Sequence, residues 1–452
     1  MFIYCIKYSQ TASLWGTQKS KIFTLKLQGF SLNLLQYIET LDVSKEIKLM
    51  ANIQSLRGMK DIIDNESELF TYFVENCSRI AKKYGYSYIE TPILEETALF
   101  KRSVGESSDI VSKEMYQFID KGENDVCLRP EGTAGVVRWF VQNKKDRAGG
   151  IHRVFYAGPM FRYERPQKGR LREFHQFGCE SFGEASVYED ATNILMINEI
   201  LSFFEIGYKL QLNSLGCKEC MPSYRDTLVE HLDTLDLCDD CVRRKTLNPI
   251  RVLDCKNETC QTNLSDAPKI TNNLCGECDT DFEKLKKILD ANGVAYEIDS
   301  NLVRGLDYYT KTAFEFVSDN IGAQSAIAGG GRYDRLVEFL GGKPTPAVGF
   351  AIGIERLLEL IVMKESQEEV LYIGAMSEEA LDSVFSLVNT KRACGKVITD
   401  YKSRSFSKHL NNAQKQGATT VALVGETELQ NGTVWVKNLT SQEENTIKIE
   451  DF

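Results

Sequence analysis

The residues best placed to do chemistry in this chain are arginines set in apolar segments, because a buried guanidinium is costly unless it is paired or meets an anionic ligand. Three positions qualify: Arg162 in GPMFRYE, Arg304 in LVRGLDYYT, and Arg356, which follows Glu355 just after AVGFAIG. Each reads either as an anion-binding group or as half of a structural ion pair. Between Arg153 and Arg172 the cations Arg153, Arg162, Arg165, Lys168, Arg170 and Arg172 face only Glu164 and Glu173. That run suits a local contact with a polyanion, or a solvated charged loop. Eight cysteines fall into four close pairs, Cys217 with Cys220, Cys238 with Cys241, Cys255 with Cys260, and Cys275 with Cys278, three of them at CxxC spacing. In a cytosolic chain such pairs suggest one or two Zn²⁺ thiolate sites before disulfides, with buried free thiols as the competing reading.

Other chemistries find little support. The chain has four histidines, none spaced with a serine or cysteine in a nucleophile motif. The glycine cluster AGGGRYD, Ala328 to Asp334, lacks the lysine and the serine or threonine of a phosphate-binding P-loop, and reads as a tight strand turn against another backbone. With 54 basic and 64 acidic side chains the net charge is −10, so nucleic-acid contact must be local rather than carried by bulk positive charge.

The elements that must position these groups follow from periodicity. A length of 452 residues, 42% hydrophobic and 26% charged, describes about two or three soluble domains. No run approaches the roughly 18 apolar residues of a membrane span, which places the chain in the cytoplasm. Residues 1–49 lack core-forming alternation and read as a disordered appendage or a start-site artefact, since Met50 offers a second start; a targeting peptide would be richer in arginine. Ser67 to Tyr84 has a helical period ending at Gly85. SYIETPILE is strand-like but broken by Pro92. RVFYAGPMFRYE and REFHQFGCESFG read as two strands around the basic loop RPQKGR. Asp190 to Glu205 reads as an amphipathic helix stopped at Gly207, followed by the strand YKLQLNS, a cysteine-rich insert over about 217–280 and the helix FEKLKKILDANG. Strand patterns resume at AYEID, 314–317 and 326–331, and close at AVGFAIGIERLLELI, where a strand runs straight into a helix. After KESQEE, short strands alternate with helices as in a separate small α/β domain.

Several of these segments together resemble one family. YAGPMFRYERPQKGRLREFHQFGCESFG, from Tyr156 to Gly183, resembles motif 2 of class II aminoacyl-tRNA synthetases in the form found in histidyl-tRNA synthetases. LVRGLDYYTKTAFEF and AGGGRYD resemble that family's own signatures, and AVGFAIGIERL resembles class II motif 3. The helix ending at Gly85 with YIETPILE resembles motif 1, and LRPEGTAG, from Leu128 to Gly135, the segment that holds the amino acid.

The resemblance implies an α+β fold: a class II antiparallel-sheet catalytic domain over 50–366 with the cysteine-rich insert, and a C-terminal α/β anticodon-binding domain over 367–452. It implies ATP-dependent ligation of L-histidine to tRNA(His) through a histidyl-adenylate, with Mg²⁺, in a homodimer built through motif 1. Carried onto this sequence, Glu131, Gly132, Thr133 and Gln176 hold the polar end of histidine, Glu180 and Tyr309 read its imidazole, and Tyr308 walls the pocket. Arg162 and Arg304 serve the α-phosphate and carry catalysis, both also within reach of histidine. Glu164 and Phe174 contact adenine, and Arg356 meets the triphosphate. Arg165 and Gln167 serve the tRNA acceptor end. Two rival readings are a synthetase-like regulatory protein that senses histidine or uncharged tRNA, and a sister synthetase for threonine, proline or glycine, against which Glu180 and Tyr309 discriminate.

Overall fold

A computed structural model describes residues 53–105, 108–253, 255, 257–303, 306, 308–321, 326–362 and 369–452. The expected appendage over 1–49 and the catalytic candidate Arg304 lie outside the described residues. The chain divides into the units Met1–Asp61 and Ile62–Phe452, and the second holds all the described strands and helices.

The strands, in chain order, are β1 (Ser87–Tyr88), β2 (Leu94–Glu96), β3 (Gln117–Ile119), β4 (Asp125–Leu128), β5 (His152–Phe161), β6 (Glu173–Phe182), β7 (Lys209–Ser214), β8 (Glu297–Ile298), β9 (Thr310–Val317), β10 (Ala326–Arg332), β11 (Ala347–Gly353), β12 (Val370–Ala375), β13 (Lys396–Ile398), β14 (Thr420–Val424), β15 (Thr433–Asn438) and β16 (Glu444–Lys448). The main sheet has the order β1-β5-β6-β11-β10-β9-β7-β8. Its six central strands run antiparallel, and only the two-residue edge strands β1 and β8 join in parallel. A small sheet, β2-β4-β3, and a five-stranded sheet, β13-β12-β14-β15-β16, complete the architecture.

One face of the main sheet carries the largest core. The first helix, Asp64–Lys83, presents Phe73, Cys77, Ile80 and Ala81 to it, with Asp64 and Glu66 in the first turn and Lys82 and Lys83 in the last complementing the helix dipole. Gly85, at φ +81°, lets the chain turn out of that helix toward β1.

The helix expected over Asp190 to Glu205 spans Val187–Phe203, and it is not amphipathic. It lies buried with Ile194, Met196, Ile197, Ile200 and Leu201 inside, and its polar residues Glu189, Asp190 and Asn193 are buried too. Each is answered: Arg153 binds Glu189 at 2.5 and 2.7 Å, the Arg332 guanidinium grips Asp190, and Asn193 bonds the Glu189 carbonyl at 2.8 Å. The chain turns at Glu205, φ +57°, rather than at Gly207.

The glycine cluster continues the strand that the pattern over 326–331 predicts, rather than forming a tight turn. Ala328 to Arg332 lies inside β10, between β9 and β11. The absence of side chains serves close backbone approach: a Cβ on Gly330 would run into the carbonyl of Gly349 and the ring of Phe314.

The last sheet is covered by the helices Leu381–Lys391 and Phe406–Lys415. Its buried His409 is a satisfied core histidine, 2.9 Å from the Tyr372 hydroxyl at Nδ1 and 2.8 Å from the Ala375 carbonyl at Nε2. Among the described residues no helix is long and apolar enough to cross a membrane.

Candidate active site

The site forms on the face of the main sheet opposite the large core. Successive strand residues alternate faces, so β6 presents Phe174, Gln176, Gly178 and Glu180 on one side while Phe177 and Cys179 enter the core on the other. Tyr156 of β5 pairs with Gly178, and its ring lies where a Cβ of Gly178 or of Gly132 would be. Both glycines are therefore required by one tyrosine.

A cavity of about 230 Å³ stands over this face. Its lining includes Glu131, Thr133, Arg162, Glu164, Phe174 and Gln176. Tyr308, Tyr309 and Arg356 line it too. The cavity thus gathers nine of the residues proposed from sequence. Glu180 lies deeper, 1% exposed, and is reached through Thr133.

At the inner end, the helix Thr133–Gln142 begins with its N–H groups turned to Glu131, whose carboxylate accepts from Thr133 at 2.7 Å and Ala134 at 2.9 Å. Burial raises the Glu131 carboxyl, against the lowering effect of those N–H donors. The Thr133 hydroxyl donates to Glu180 at 2.7 Å, and Tyr333 and, at 3.5 Å, Tyr156 also donate to that carboxyl. Burial pushes Glu180 up to about 8. Two polar atoms here have no partner among the described residues: Gln176 Oε1 and the Tyr308 hydroxyl, both buried. Native proteins seldom strand such atoms unless a ligand completes them.

The outer end is cationic. Arg162, one residue past β5, donates to the Pro130 carbonyl at 2.9 Å and holds its guanidinium 5.1 Å from the Phe174 ring centre. Arg356 enters from the helix Ile354–Leu358, anchored on the carbonyls of Gly169 at 3.0 Å and Ala326 at 2.8 Å. Burial, then the nearby Arg170 and Arg162, make its charge less favourable than in water, which is the condition of a group that awaits an anion. Glu355 accepts from the His175 amide and ring, tying that helix to β6.

Not every cation of the basic run faces a ligand. Arg153 is held by Glu189, Arg170 reaches Glu164 at 3.0 Å, and Arg172 stacks on Tyr163 at 3.9 Å. Arg165 and Gln167 are exposed on the loop between β5 and β6, which folds through paired backbone hydrogen bonds between Gln167 and Arg170.

Sequence reasoning missed Tyr156 and Tyr333, although both belong to segments that carry the family resemblance; neither could be assigned without the register that sets them against Glu180. Within AGGGRYD the roles divide: Arg332 is a structural cation held by Asp190, Asp334 and the carbonyls of Glu184 and Ser186, whereas Tyr333 turns toward the site.

A family model described as histidyl-tRNA synthetase matches residues 58–357. The chain belongs to the histidyl-tRNA synthetase family. A second model, an anticodon binding domain, matches 367–452. Histidine–tRNA ligase of Sulfurimonas denitrificans is 64% identical over 404 residues, 88% of this chain and 100% of that protein. The Campylobacter fetus enzyme of the same name is 59% identical over 88% of this chain and 98% of its own length. The structure of apo histidyl-tRNA synthetase from Staphylococcus aureus superposes with a TM-score of 0.75 at 35% identity, covering 88% of this chain and 98% of that one. Family membership carries the class II fold, with its antiparallel catalytic sheet and C-terminal anticodon-binding domain.

Proposed function

We infer that this chain ligates L-histidine to tRNA(His), forming histidyl-adenylate from histidine and ATP with loss of diphosphate, then passing the histidyl group to the terminal ribose of the tRNA with release of AMP. The observation that carries this reading is one cavity with two chemically opposed ends. Its inner end holds Gln176 Oε1 and the Tyr308 hydroxyl, without a hydrogen-bond partner among the described residues, beside Glu131, and its outer end holds Arg162 and Arg356. A zwitterionic amino acid with a polar ring suits the first, and a polyphosphate suits the second.

The α-ammonium of histidine donates to Glu131 and Gln176, Thr133 closes that end, and the small Gly132 leaves room for Tyr156. Glu180 and Tyr309 read the two ring nitrogens, with Tyr308 as wall; a substrate lacking either nitrogen leaves a buried group unpaired, which is costly enough to reject it. Phe174 stacks on adenine, Glu164 approaches its amino group, and Arg356 meets the β- and γ-phosphates. Arg162, with Arg304 from the opposite side, neutralises charge on the α-phosphate as the histidine carboxylate attacks. No enzyme nucleophile takes part, so rate comes from positioning and fixed charge. Mg²⁺ would offset charge on the triphosphate, and Glu315 on β9, a carboxylate of the cavity wall, would be the residue to hold it.

In this reading 50–366 is the catalytic domain, 367–452 reads the anticodon, 1–49 is an accessory extension, and Arg165 and Gln167 meet the acceptor end. Zn²⁺ serves the cysteine-rich insert. The enzyme works as a cytoplasmic homodimer. The test is ATP–pyrophosphate exchange with each amino acid in turn, followed by aminoacylation of tRNA(His). Exchange dependent on histidine alone is expected, and exchange driven by another amino acid, or none at all, overturns the reading.

A further inference from the structure

Ligation uses none of the eight cysteines of the insert, yet the fold gathers them into two groups of four. Cys217 and Cys220 meet Cys275 and Cys278, and Cys238 and Cys241 meet Cys255 and Cys260, with the four sulfurs of each group within 4.8 Å of one another. Sulfur separations are 3.8 Å for Cys217–Cys220, 3.8 Å for Cys217–Cys275 and 3.9 Å for Cys238–Cys255. A disulfide needs about 2.05 Å. A tetrahedron with Zn–S bonds of about 2.3 Å has edges of about 3.8 Å. Packed thiols in van der Waals contact lie at a similar separation, so it is the convergence of four sulfurs, twice, that marks metal sites.

Two further observations point the same way. Backbone N–H groups aim at the sulfurs: Glu219 at Cys217 and Cys275 at Cys220 in the first group, Cys238 at Cys260 and Asn257 at Cys255 in the second. Such donors favour thiolate over thiol. Cys220, Cys238 and Cys275 also stand at the starts of the helices Met221–Leu232, Asp239–Leu247 and Gly276–Ala291, whose positive ends offset the two negative charges of a Zn(Cys)₄ centre. The insert has only a small core of its own, Tyr224, Leu228, Leu232 and Val252 among its larger members, with three of the cysteines inside it. A segment of that size needs a staple.

We propose that each group binds one Zn²⁺, its four thiols releasing four protons to solvent as the four thiolates bind the ion, and that the first centre also positions the histidine pocket. Its two halves converge on Lys311. The Lys311 amide donates to Gly216 at 2.7 Å, and its carbonyl accepts from Leu215 at 2.6 Å, just before Cys217. Its ammonium binds Glu277 at 2.7 Å and Asp281 at 3.1 Å, on the helix that carries Cys278. Lys311 itself sits at φ +50°, two residues after Tyr309. Among the described residues the second centre makes no hydrogen bond to Lys311, and it folds the insert.

The positioning half rests on the ligase reading; the metal half does not, and a metal count reports on it whether or not histidine is activated. Full-length protein purified without chelator is analysed for metals by plasma mass spectrometry. About two Zn²⁺ per chain are expected, and about one in either Cys238→Ser/Cys241→Ser or Cys275→Ser/Cys278→Ser. Cobalt-loaded wild-type protein, which avoids any folding defect of the variants, should show thiolate charge-transfer bands and strong tetrahedral d–d absorption. Less than about 0.2 zinc per chain with all eight thiols open to a thiol reagent, or iron in place of zinc, overturns the metal assignment. In pyrophosphate exchange, Cys275→Ser/Cys278→Ser should raise KM for histidine several-fold with kcat largely kept, while Cys238→Ser/Cys241→Ser leaves KM unchanged. Equal KM in the two variants overturns the positioning role.

Discussion

Replacing Glu180 by glutamine tests whether histidine is read by a carboxyl that shares its proton with the substrate ring. Burial lifts Glu180 to about 8, and the free imidazole titrates near roughly 6.5. Between those values the carboxyl is protonated before histidine binds and the ring is neutral, so the pair enters the complex with one shared proton and exchanges none. Below the window binding must release a proton, and above it one must be taken up. From pH 7 to 9 the alkaline limb therefore costs wild type roughly tenfold in affinity. The Glu180→Gln protein has no such limb; the amino group of histidine adds only a small loss, common to both. At pH 7.5 it should bind histidine roughly 10- to 150-fold more weakly, the equivalent of about 1.5–3 kcal/mol for a charge-assisted hydrogen bond. Calorimetric titration from pH 6 to 9, in buffers of different ionisation enthalpy, measures both the affinity and the proton count. Stability follows the same sign. A folded-state pKa above the unfolded one stabilises fully below about 4.5 and loses that benefit as pH rises through about 8, a loss of about 1.4 kcal/mol between pH 7 and 9. Glu180→Gln should lack that decline. Persistence of the alkaline limb in the variant, or an affinity within twofold of wild type, would falsify direct reading and leave Glu180 as the anchor of Thr133, Tyr156 and Tyr333.

Arg304→Ala should slow adenylate formation by on the order of 10³–10⁵ with melting temperature nearly unchanged, since a transition-state guanidinium acts on rate; normal exchange kinetics would leave Arg162 and Mg²⁺ as the main stabilisers. Transfer from preformed adenylate should suffer much less. Arg165→Ala with Gln167→Ala should slow transfer to tRNA while sparing pyrophosphate exchange, because both side chains are exposed on the loop outside the cavity; equal loss in both steps would put the loop in ATP binding. Asp190→Ala leaves the buried Arg332 with only Asp334 and the carbonyls of Glu184 and Ser186, and should cost about 3–5 kcal/mol in chemical denaturation; a loss under about 1 kcal/mol, the range of an exposed pair, would contradict it. A chain started at Met50 should aminoacylate normally, and loss of solubility or activity would make 1–49 part of the fold.

Much of this fold could be read in the sequence because local pattern and tertiary role agree. The strands β5, β6, β7 and β11 and the first helix follow from periodicity, and the break at Pro92 falls between β1 and β2 as expected. The misreadings have one cause, namely partners distant in sequence. The helix over Asp190 to Glu205 reads as amphipathic, but its polar start is buried, because Glu189 and Asp190 find Arg153 and Arg332, 36 and 142 residues away. The strand over 326–331 is legible, but its glycines read as a turn until Gly349 and Phe314 are brought against them. CxxC spacing reveals cysteine pairs, but which pairs meet depends on how β7 and the helix after the insert return to each other.

The site is held by register more than by any single side chain. Phe174, Gln176 and Glu180 share a face only because their spacing in β6 is even, and β6 pairs with β5 without a shift along ten residues. A slip of one residue would bury all three in the apolar core and turn Phe177 and Cys179 into the cavity. Gly178 sits at the one position between them where a side chain would displace Tyr156, and Tyr156 in turn is one of the three donors that hold the Glu180 carboxyl. Gly178→Ala should therefore act on the imidazole end of the pocket through Tyr156, although position 178 itself touches neither ring nitrogen nor phosphate in the proposed arrangement. The adenine end, where Phe174 lies four residues away on the same strand, should feel it much less. A glycine in a strand is ordinarily a weakness; here it is what allows the Tyr156 phenol of one strand to reach and hold the Glu180 carboxyl of its neighbour.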